Sequence, residues 1–239
     1  MTLNVCLRGT DGLVAASDSR GTFGDPRAIT AQNDTLKKVY LVENVGILMA
    51  GTEQGNMLVE ELARIAKVEK ISGASAIMAK LRDISRAKFN EWFSAFPMLS
   101  IPNQNPQFVR PTLQLTLAGY DVVEGKSTPR FYSMVSNFDF APNLHDYGFA
   151  LGGVAQYALY LLNRLYSSDM TVEDLKHLAA YVVTETAAQD GKVGGPVQMA
   201  VILPNTGFEV GSEELAKIVV ENEHLSKDLK GLFRSAKKA

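Results

Sequence analysis

The amino-acid sequence predicts an α+β protein folded as a four-layer αββα sandwich, with two antiparallel sheets flanked by helix pairs. Stretches with strand character come in pairs, and stretches with helical periodicity come as two consecutive pairs. The order along the chain is strands, two helices, strands, two helices, strands. A parallel sheet would need strands and helices to alternate, so two antiparallel sheets covered by helix layers are the economical packing.

The first strands are predicted to form two hairpins. Asp11-Gly12 is typical of a hairpin turn, and Glu43-Asn44 marks the turn of the second hairpin. Residues 21–34, which lie between the two hairpins, are expected to form a loop. The predicted strands cover residues 3–7, 12–19, 37–42 and 45–50.

Helical periodicity replaces strand alternation after Gly51 and returns in the second half of the chain. Apolar residues recur there three and four positions apart, as they do on one face of a helix. Thr171 is placed to cap the last of these helices, and Glu173 and Asp174 fall in its first turn. The predicted helices cover residues 57–66, 77–92, 154–166 and 171–189.

The rest of the chain is predicted as further strands, a loop and a C-terminal extension. The strands cover residues 112–119, 130–135, 197–203 and 207–210. Residues 97–111 hold four of the nine prolines and are predicted to be a loop. A short helix over residues 213–222 and a solvated lysine-rich tail at 227–238 are expected to follow. We expect one domain over residues 1–239, extended from about residue 211.

The composition indicates a globular protein without a polyanionic partner. Of the 239 residues, 46% are apolar and 21% charged, and the formal net charge is -2. These values give no electrostatic reason to expect nucleic acid or a membrane surface as a partner. No stretch resembles a signal sequence or a membrane span, and the single Cys6 cannot form an internal disulfide, so we expect a cytoplasmic location.

No metal or cofactor is expected. The three histidines, His145, His177 and His224, are too scattered to indicate a metal cluster, and the chain has neither a GxxxxGK[ST] loop nor a GxSxG motif. Cys6 sits in an apolar alternation with no histidine nearby in sequence. We therefore expect Cys6 to be a small core residue and not a nucleophile.

The start of the chain carries the most specific chemistry. Removal of Met1 would leave Thr2 with a hydroxyl and a free α-amino group in one residue. A hydroxyl is a weak nucleophile near neutral pH and needs a base, and a terminal amine with a pKa of about 8 supplies one. Methionine before a small residue is commonly removed in cells, so we expect processing without a longer propeptide.

An ordered set of motifs resembles the β-type subunits of proteasomes, members of the N-terminal nucleophile hydrolase superfamily. The likeness extends over roughly residues 2–210 and implies the αββα fold of that superfamily. The motifs are Thr2, residues 11–20, Lys37-Lys38-Val39, Met49-Ala50-Gly51, Met170-Thr171-Val172, Gln189-Asp190 and Gly194-Gly195.

The resemblance implies a catalytic group of five residues. In such a group Thr2 attacks a peptide carbonyl, and Lys38 paired with Asp18 lowers the cost of ionising the threonine hydroxyl. A backbone N–H at Gly51 stabilises the oxyanion. Asp190 matches an aspartate that the family retains in the fourth helix region.

Substrate contacts are implied for Gly21, Thr22 and Met49. Met49 falls where the family has the floor of its main specificity pocket, and its large flexible side chain suggests a preference for apolar residues before the cut. Adjacent strand residues face opposite ways, so the catalytic role has to be assigned to either Lys37 or Lys38. The second lysine matches the family's catalytic position, and we therefore choose Lys38.

Two departures set this chain apart from the family pattern. Serines that help to hold the terminal amine and hydroxyl are replaced by Gly153 and Val193. These losses, together with the length of residues 21–34 and 97–111, suggest a divergent protein of bacterial or archaeal type.

The resemblance therefore implies a threonine peptidase that cleaves polypeptides inside a homo-oligomeric ring or double ring. An ATPase regulator is possible for such rings, but the sequence does not identify one. Two alternatives remain open. The first is a noncatalytic subunit that contributes assembly surfaces, and the second is a transferase that passes a Thr2-bound acyl group to an amine.

Overall fold

The computed structural model describes residues 2–25, 28–96 and 110–235. Its strands form two five-stranded antiparallel sheets and one separate hairpin. The first sheet contains β1 (Leu3–Arg8), β2 (Leu13–Ser17), β10 (Phe149–Gly153), β11 (Gln198–Leu203) and β12 (Thr206–Glu209). The second sheet contains β5 (Val39–Val42), β6 (Val45–Gly51), β7 (Leu113–Val123), β8 (Lys126–Val135) and β9 (Asn143–His145). The separate hairpin pairs β3 (Gly21–Asp25) with β4 (Ala28–Asn33).

The strand order places β1 inside the first sheet, between β10 and β2. That order is β10-β1-β2-β11-β12, and the second sheet has the order β5-β6-β7-β8-β9. The helices are α1 (Gly55–Glu69), α2 (Ala74–Phe93), α3 (Gln156–Leu165), α4 (Val172–Gln189) and α5 (Ser212–Ser235).

Three apolar cores separate the four layers. Leu3, Val5 and Leu7 of β1 pack with the residues of α3 and α4, whereas Cys6, which points to the other face of the strand, packs between the two sheets. A third core lies between the second sheet and helices α1 and α2. This arrangement confirms the predicted αββα sandwich.

Thr171 caps α4 as predicted. Its hydroxyl accepts a hydrogen bond from the Asp174 N–H, and the Asp174 carboxylate accepts from the Thr171 N–H at 2.8 Å. This reciprocal capping box fixes the start of the helix whose far end leads into the residues around Gly194.

Two expectations from the sequence are wrong, and two strands were missed. Residues 21–34 are not a loop, because β3 and β4 pair over most of that stretch. The tail predicted at 227–238 is helical as far as Ser235, since α5 continues through residues with good helix propensity. Strands β9 and β10 were not anticipated, because one is only three residues long and the other ends in Gly152-Gly153. The predicted loop at 97–111 lies largely outside the described residues.

Cys6 is fully buried between the sheets, and burial raises the pKa of its thiol well above the usual range. The thiolate is the reactive form, so we expect no measurable reaction of the native protein with a thiol reagent. Unfolding in denaturant should expose one reactive thiol per chain. Rapid labelling before unfolding would contradict this placement.

Candidate active site

Thr2 lies at a small cavity together with several of the residues singled out in the sequence. The cavity has a volume of about 30 Å³, which is roughly the space of one water molecule. It is lined by Thr2, Leu36, Lys37, Lys38, Met49, Gly51, Thr52, Glu53 and Asn56. The fold thus brings the start of the chain together with the segment before β5, the end of β6 and the start of α1.

The backbone of Thr2 is held from two directions. Its carbonyl accepts a hydrogen bond from the Val154 N–H at 2.8 Å, and the next residue, Leu3, pairs with Gly153 of β10. The Leu3 N–H donates to Asp18 Oδ1 at 3.0 Å. The nucleophile candidate is therefore fixed by a neighbouring strand and by a buried carboxylate.

Asp18 follows β2 directly, and its carboxylate is fully buried. In addition to Leu3, Oδ1 accepts a hydrogen bond from Lys38 Nζ at 3.0 Å. Oδ2 accepts from the Arg20 N–H at 3.1 Å and from the Gly194 N–H at 3.0 Å. Four donors around one buried carboxylate compensate its lost hydration and leave it one orientation.

Lys38 is almost as deeply buried, with 5% of its surface exposed. Its ammonium donates to Asp18 and to the Arg20 carbonyl at 2.6 Å, and its backbone N–H donates to Gln198 Oε1 at 2.9 Å. Burial lowers the pKa of Lys38, while the Asp18 carboxylate acts in the opposite direction. Lys38 and Thr2 line the same cavity, so this buried ion pair borders the candidate nucleophile.

The neighbouring Lys37 faces the surface. Its ammonium pairs with Glu209 Oε1 at 2.6 Å and lies over the Tyr40 ring. Both lysines line the cavity, but Lys38 donates to Asp18, whereas Lys37 donates to Glu209.

Gly51 ends β6 with a φ of +112°. A side chain at this position would overlap the Thr112 carbonyl, so the backbone adopts this conformation only because the residue is glycine. Met49, two residues earlier, is buried in the core under α1 and also lines the cavity.

The structure does not bring every predicted residue to this cavity. Asp190 follows α4, and its Oδ1 accepts a hydrogen bond from the Lys192 N–H at 2.9 Å. Gly21 and Thr22 lie in β3, where they pair with Asn33 and Gln32. None of these three predicted residues lines the cavity beside Thr2.

The sequence interpretation missed five groups around the Lys38–Asp18 pair. They are the N–H groups of Leu3, Arg20 and Gly194, the Arg20 carbonyl and the Gln198 amide. Four of the five are backbone groups, which leave no side-chain signature in a sequence. The motifs that contain Arg20 and Gly194 were recognised, but their contacts depend on how distant segments meet.

Gly153 and Val193 replace two serines of the family pattern, and the structure gives a reason for the residue at each position. Gly153 has a φ of +73°, and a Cβ there would overlap the Thr2 carbonyl. Val193 is fully buried in the core between the first sheet and its helices. Neither position supplies a hydroxyl to the cavity.

We expect that Gly153→Ser does not restore the family's hydroxyl but destabilises the protein by about 1–3 kcal/mol, because of strain at positive φ and a clash with Thr2. Denaturant unfolding measures the loss. Gly191→Ser is the matched control, because a Cβ there meets nothing within 4 Å. A Gly153→Ser protein as stable as the control would contradict the backbone geometry.

Within the part of the chain that the structure describes, no group of three or more His, Cys, Asp or Glu side chains is arranged to hold a metal ion. Likewise, no helix among the described residues is long and apolar enough to cross a membrane.

Two stacked antiparallel sheets between helix layers, with a threonine just before the first strand, form an αββα sandwich of the N-terminal nucleophile hydrolase type. Comparison with known families narrows this class. The chain belongs to the proteasome subunit family, which it matches over residues 2–202.

Individual relatives agree with this assignment over almost the whole chain. A proteasome subunit beta from Methanosphaera stadtmanae is 26% identical, covering 87% of this chain and 90% of the relative. A proteasome subunit beta 2 from Nitrosopumilus maritimus is 24% identical, covering 92% and 94%. Among solved structures, Anbu (ancestral beta-subunit) from Yersinia bercovieri superposes with a TM-score of 0.72 at 17% identity and covers 97% and 96%. At that identity, the last likeness concerns the fold alone.

Proposed function

We propose that this protein is a threonine peptidase in which Thr2 is the nucleophile. The observation that carries the proposal is the buried Lys38–Asp18 pair, whose lysine lines the same cavity as Thr2 and Gly51. A buried ion pair costs more to desolvate than a surface pair, and perturbed pKa values cluster at functional sites. The proposal requires a free α-amino group on Thr2, which removal of Met1 would supply.

In the proposed reaction, Thr2 Oγ1 attacks the substrate carbonyl while its proton passes to the free α-amine, and the Lys38 ammonium favours the ionised hydroxyl. The Gly51 N–H donates to the oxyanion that forms. Collapse of the tetrahedral intermediate breaks the C–N bond, and the departing amine takes the proton. The resulting ester on Thr2 is hydrolysed by a water molecule that the α-amine deprotonates, which restores the hydroxyl and releases the acid.

The remaining predicted residues receive supporting roles in this proposal. Asp18 holds Lys38 in place, and Asp190 organises the residues that follow α4 by accepting from the Lys192 N–H. Gly21 and Thr22 extend the substrate site along β3. Met49 borders the cavity, and because that cavity holds about one water molecule, an apolar substrate side chain would enter by displacing the flexible Met49.

We extend the proposal to a homo-oligomeric ring or double ring that acts on polypeptides in the cytoplasm. Helix α3 supports an assembly surface, because Tyr157, Leu159, Tyr160 and Leu165 expose 37–60% of their area. No regulator is assigned.

A noncatalytic family member is the second candidate. Gly153 and Val193 favour it, because neither supplies the hydroxyls that the family pattern implies. Such a subunit would keep the Lys38–Asp18 pair for stability alone.

The test combines the N-terminal mass with peptide hydrolysis. Intact-mass measurement establishes whether Thr2 is the first residue, and fluorogenic peptides with apolar, basic and acidic residues before the cut measure turnover. We expect cleavage after apolar residues by protein that lacks Met1. Protein with a free Thr2 that cleaves none of the peptides would overturn the proposal and support the noncatalytic candidate. Transfer of the acyl group to an added amine in preference to water would indicate the transferase.

A further inference from the structure

The Arg20 side chain makes contacts that the proposed reaction does not use. Its Nε and Nη2 donate to Asp34 Oδ1 and Oδ2, both at 2.8 Å, in a bidentate pair. Its Nη1 donates to the Gly191 carbonyl at 3.2 Å. One guanidinium therefore joins the end of β4 to the residues that follow α4.

The same guanidinium lies against Gly194. A Cβ at Gly194 would be 2.5 Å from Arg20 Cζ, so only a glycine permits this close approach. The next residue, Gly195, has a φ of +71°, and a side chain there would overlap Ser19 and Asp34. Both glycines are thus required by the packing of residues 190–195, which we call the glycine turn.

Gly194 connects the glycine turn to the buried Asp18 carboxylate. Its N–H donates to Asp18 Oδ2 at 3.0 Å, and its carbonyl accepts from the Ser19 N–H at 3.1 Å. The main chain of Arg20 contributes as well, since its carbonyl accepts from Lys38 Nζ. A shift of the guanidinium would therefore move a donor of Asp18, the group that orients Lys38.

The β3–β4 hairpin adds a second tie to the glycine turn. Gln32 Nε2 donates to the Gly191 carbonyl at 3.3 Å, and the Ser19 hydroxyl donates to the Asp34 carbonyl at 2.7 Å. The hairpin, the glycine turn and the end of β2 are therefore joined through Arg20 and Asp34.

We propose that Arg20, oriented by Asp34, is a positioning residue that holds the glycine turn so that the Gly194 N–H points at Asp18. This inference rests on the proposed function for its kinetic consequence. The Arg20 and Asp34 side chains are 22% and 40% exposed, and partly exposed ion pairs contribute little to global stability. Loss of the pair should therefore change local order and turnover far more than the unfolding midpoint.

The test compares Arg20→Ala and Asp34→Ala with the wild type by hydrogen–deuterium exchange and steady-state kinetics. We expect at least about tenfold faster exchange in peptides covering residues 191–195, because opening free energies of turns depend on such local contacts. We expect kcat to fall about 10- to 100-fold with KM almost unchanged, since small displacements of a catalytic group have effects of this size. Asp34→Glu should restore part of both losses.

Arg64→Ala is the matched control, because Arg64 pairs with Glu61 on the exposed face of α1. It should change neither exchange in the glycine turn nor kcat. Unchanged exchange in Arg20→Ala would overturn the proposal, and so would faster exchange with unchanged kcat in an active enzyme. A wild-type protein that hydrolyses no peptide refutes the proposed function instead, and in that case faster exchange in Arg20→Ala still supports the positioning role.

Discussion

Thr2→Ala should reduce peptide hydrolysis by at least about 10⁴-fold. The variant keeps a small first residue and a free α-amine after Met1 is removed, but it has no hydroxyl to form the ester. Thr2→Ser retains both groups and should keep measurable activity. Turnover of a fluorogenic peptide by purified protein, with the N-terminus checked by mass, measures the difference.

The fold and assembly should survive this substitution. Thr2 is held by backbone contacts to Val154 and Gly153, which alanine preserves. Thr206→Ala, at an exposed position in β12, is the control for removing a threonine away from the cavity and should leave hydrolysis unchanged. Hydrolysis that persists in Thr2→Ala at the wild-type rate would place the nucleophile elsewhere.

Asp18→Ala should destabilise the protein by about 3–5 kcal/mol and abolish hydrolysis. It leaves the Lys38 ammonium buried without its counter-ion, and such a loss carries this cost. The Leu3 and Gly194 N–H groups lose their acceptor as well, which adds to the cost of unpaired buried donors. Denaturant unfolding measures the stability, and peptide hydrolysis measures the activity.

A pair of controls separates stability from chemistry. Asp83→Ala removes an exposed carboxylate on α2 whose ion pair with Arg82 should contribute less than about 1 kcal/mol. Asp18→Asn combined with Lys38→Met removes both charges, so this protein should regain stability relative to Asp18→Ala and still be inactive. A stable and active Asp18→Ala protein would contradict the role of the buried pair.

The layers of the fold were predictable because strand alternation and helical periodicity survive in the sequence. The capping box of Thr171 and Asp174 is local, and it was foreseen for that reason. Strands β3 and β4 were missed because glycine, proline and aspartate within the stretch are typical of loops, and pairing between the two strands overrides that tendency.

The residues of the candidate site were also predicted only in part. Thr2, Lys38, Met49 and Gly51 were inferred from motifs, and the structure brings these four to one cavity. The Asp190 carboxylate accepts a hydrogen bond from the Lys192 N–H, and the motif around Asp190 did not reveal this contact.

Contacts between distant segments account for what the motifs did not reveal. The bond from the Gly194 N–H to Asp18 spans 176 positions in the chain. The bidentate Arg20–Asp34 pair depends on a hairpin that the sequence did not predict. Such contacts form only when distant segments pack together, and local periodicity and turn signals carry no information about that packing.

Peptide mapping after treatment with an epoxyketone tests the central claim most directly. This reagent needs both the hydroxyl and the free α-amine of an N-terminal threonine. We expect one adduct per chain on the peptide that begins at Thr2, and none in Thr2→Ala. Protein that begins at Thr2 but carries no adduct, or an adduct on another residue, would contradict the proposal that Thr2 is the nucleophile.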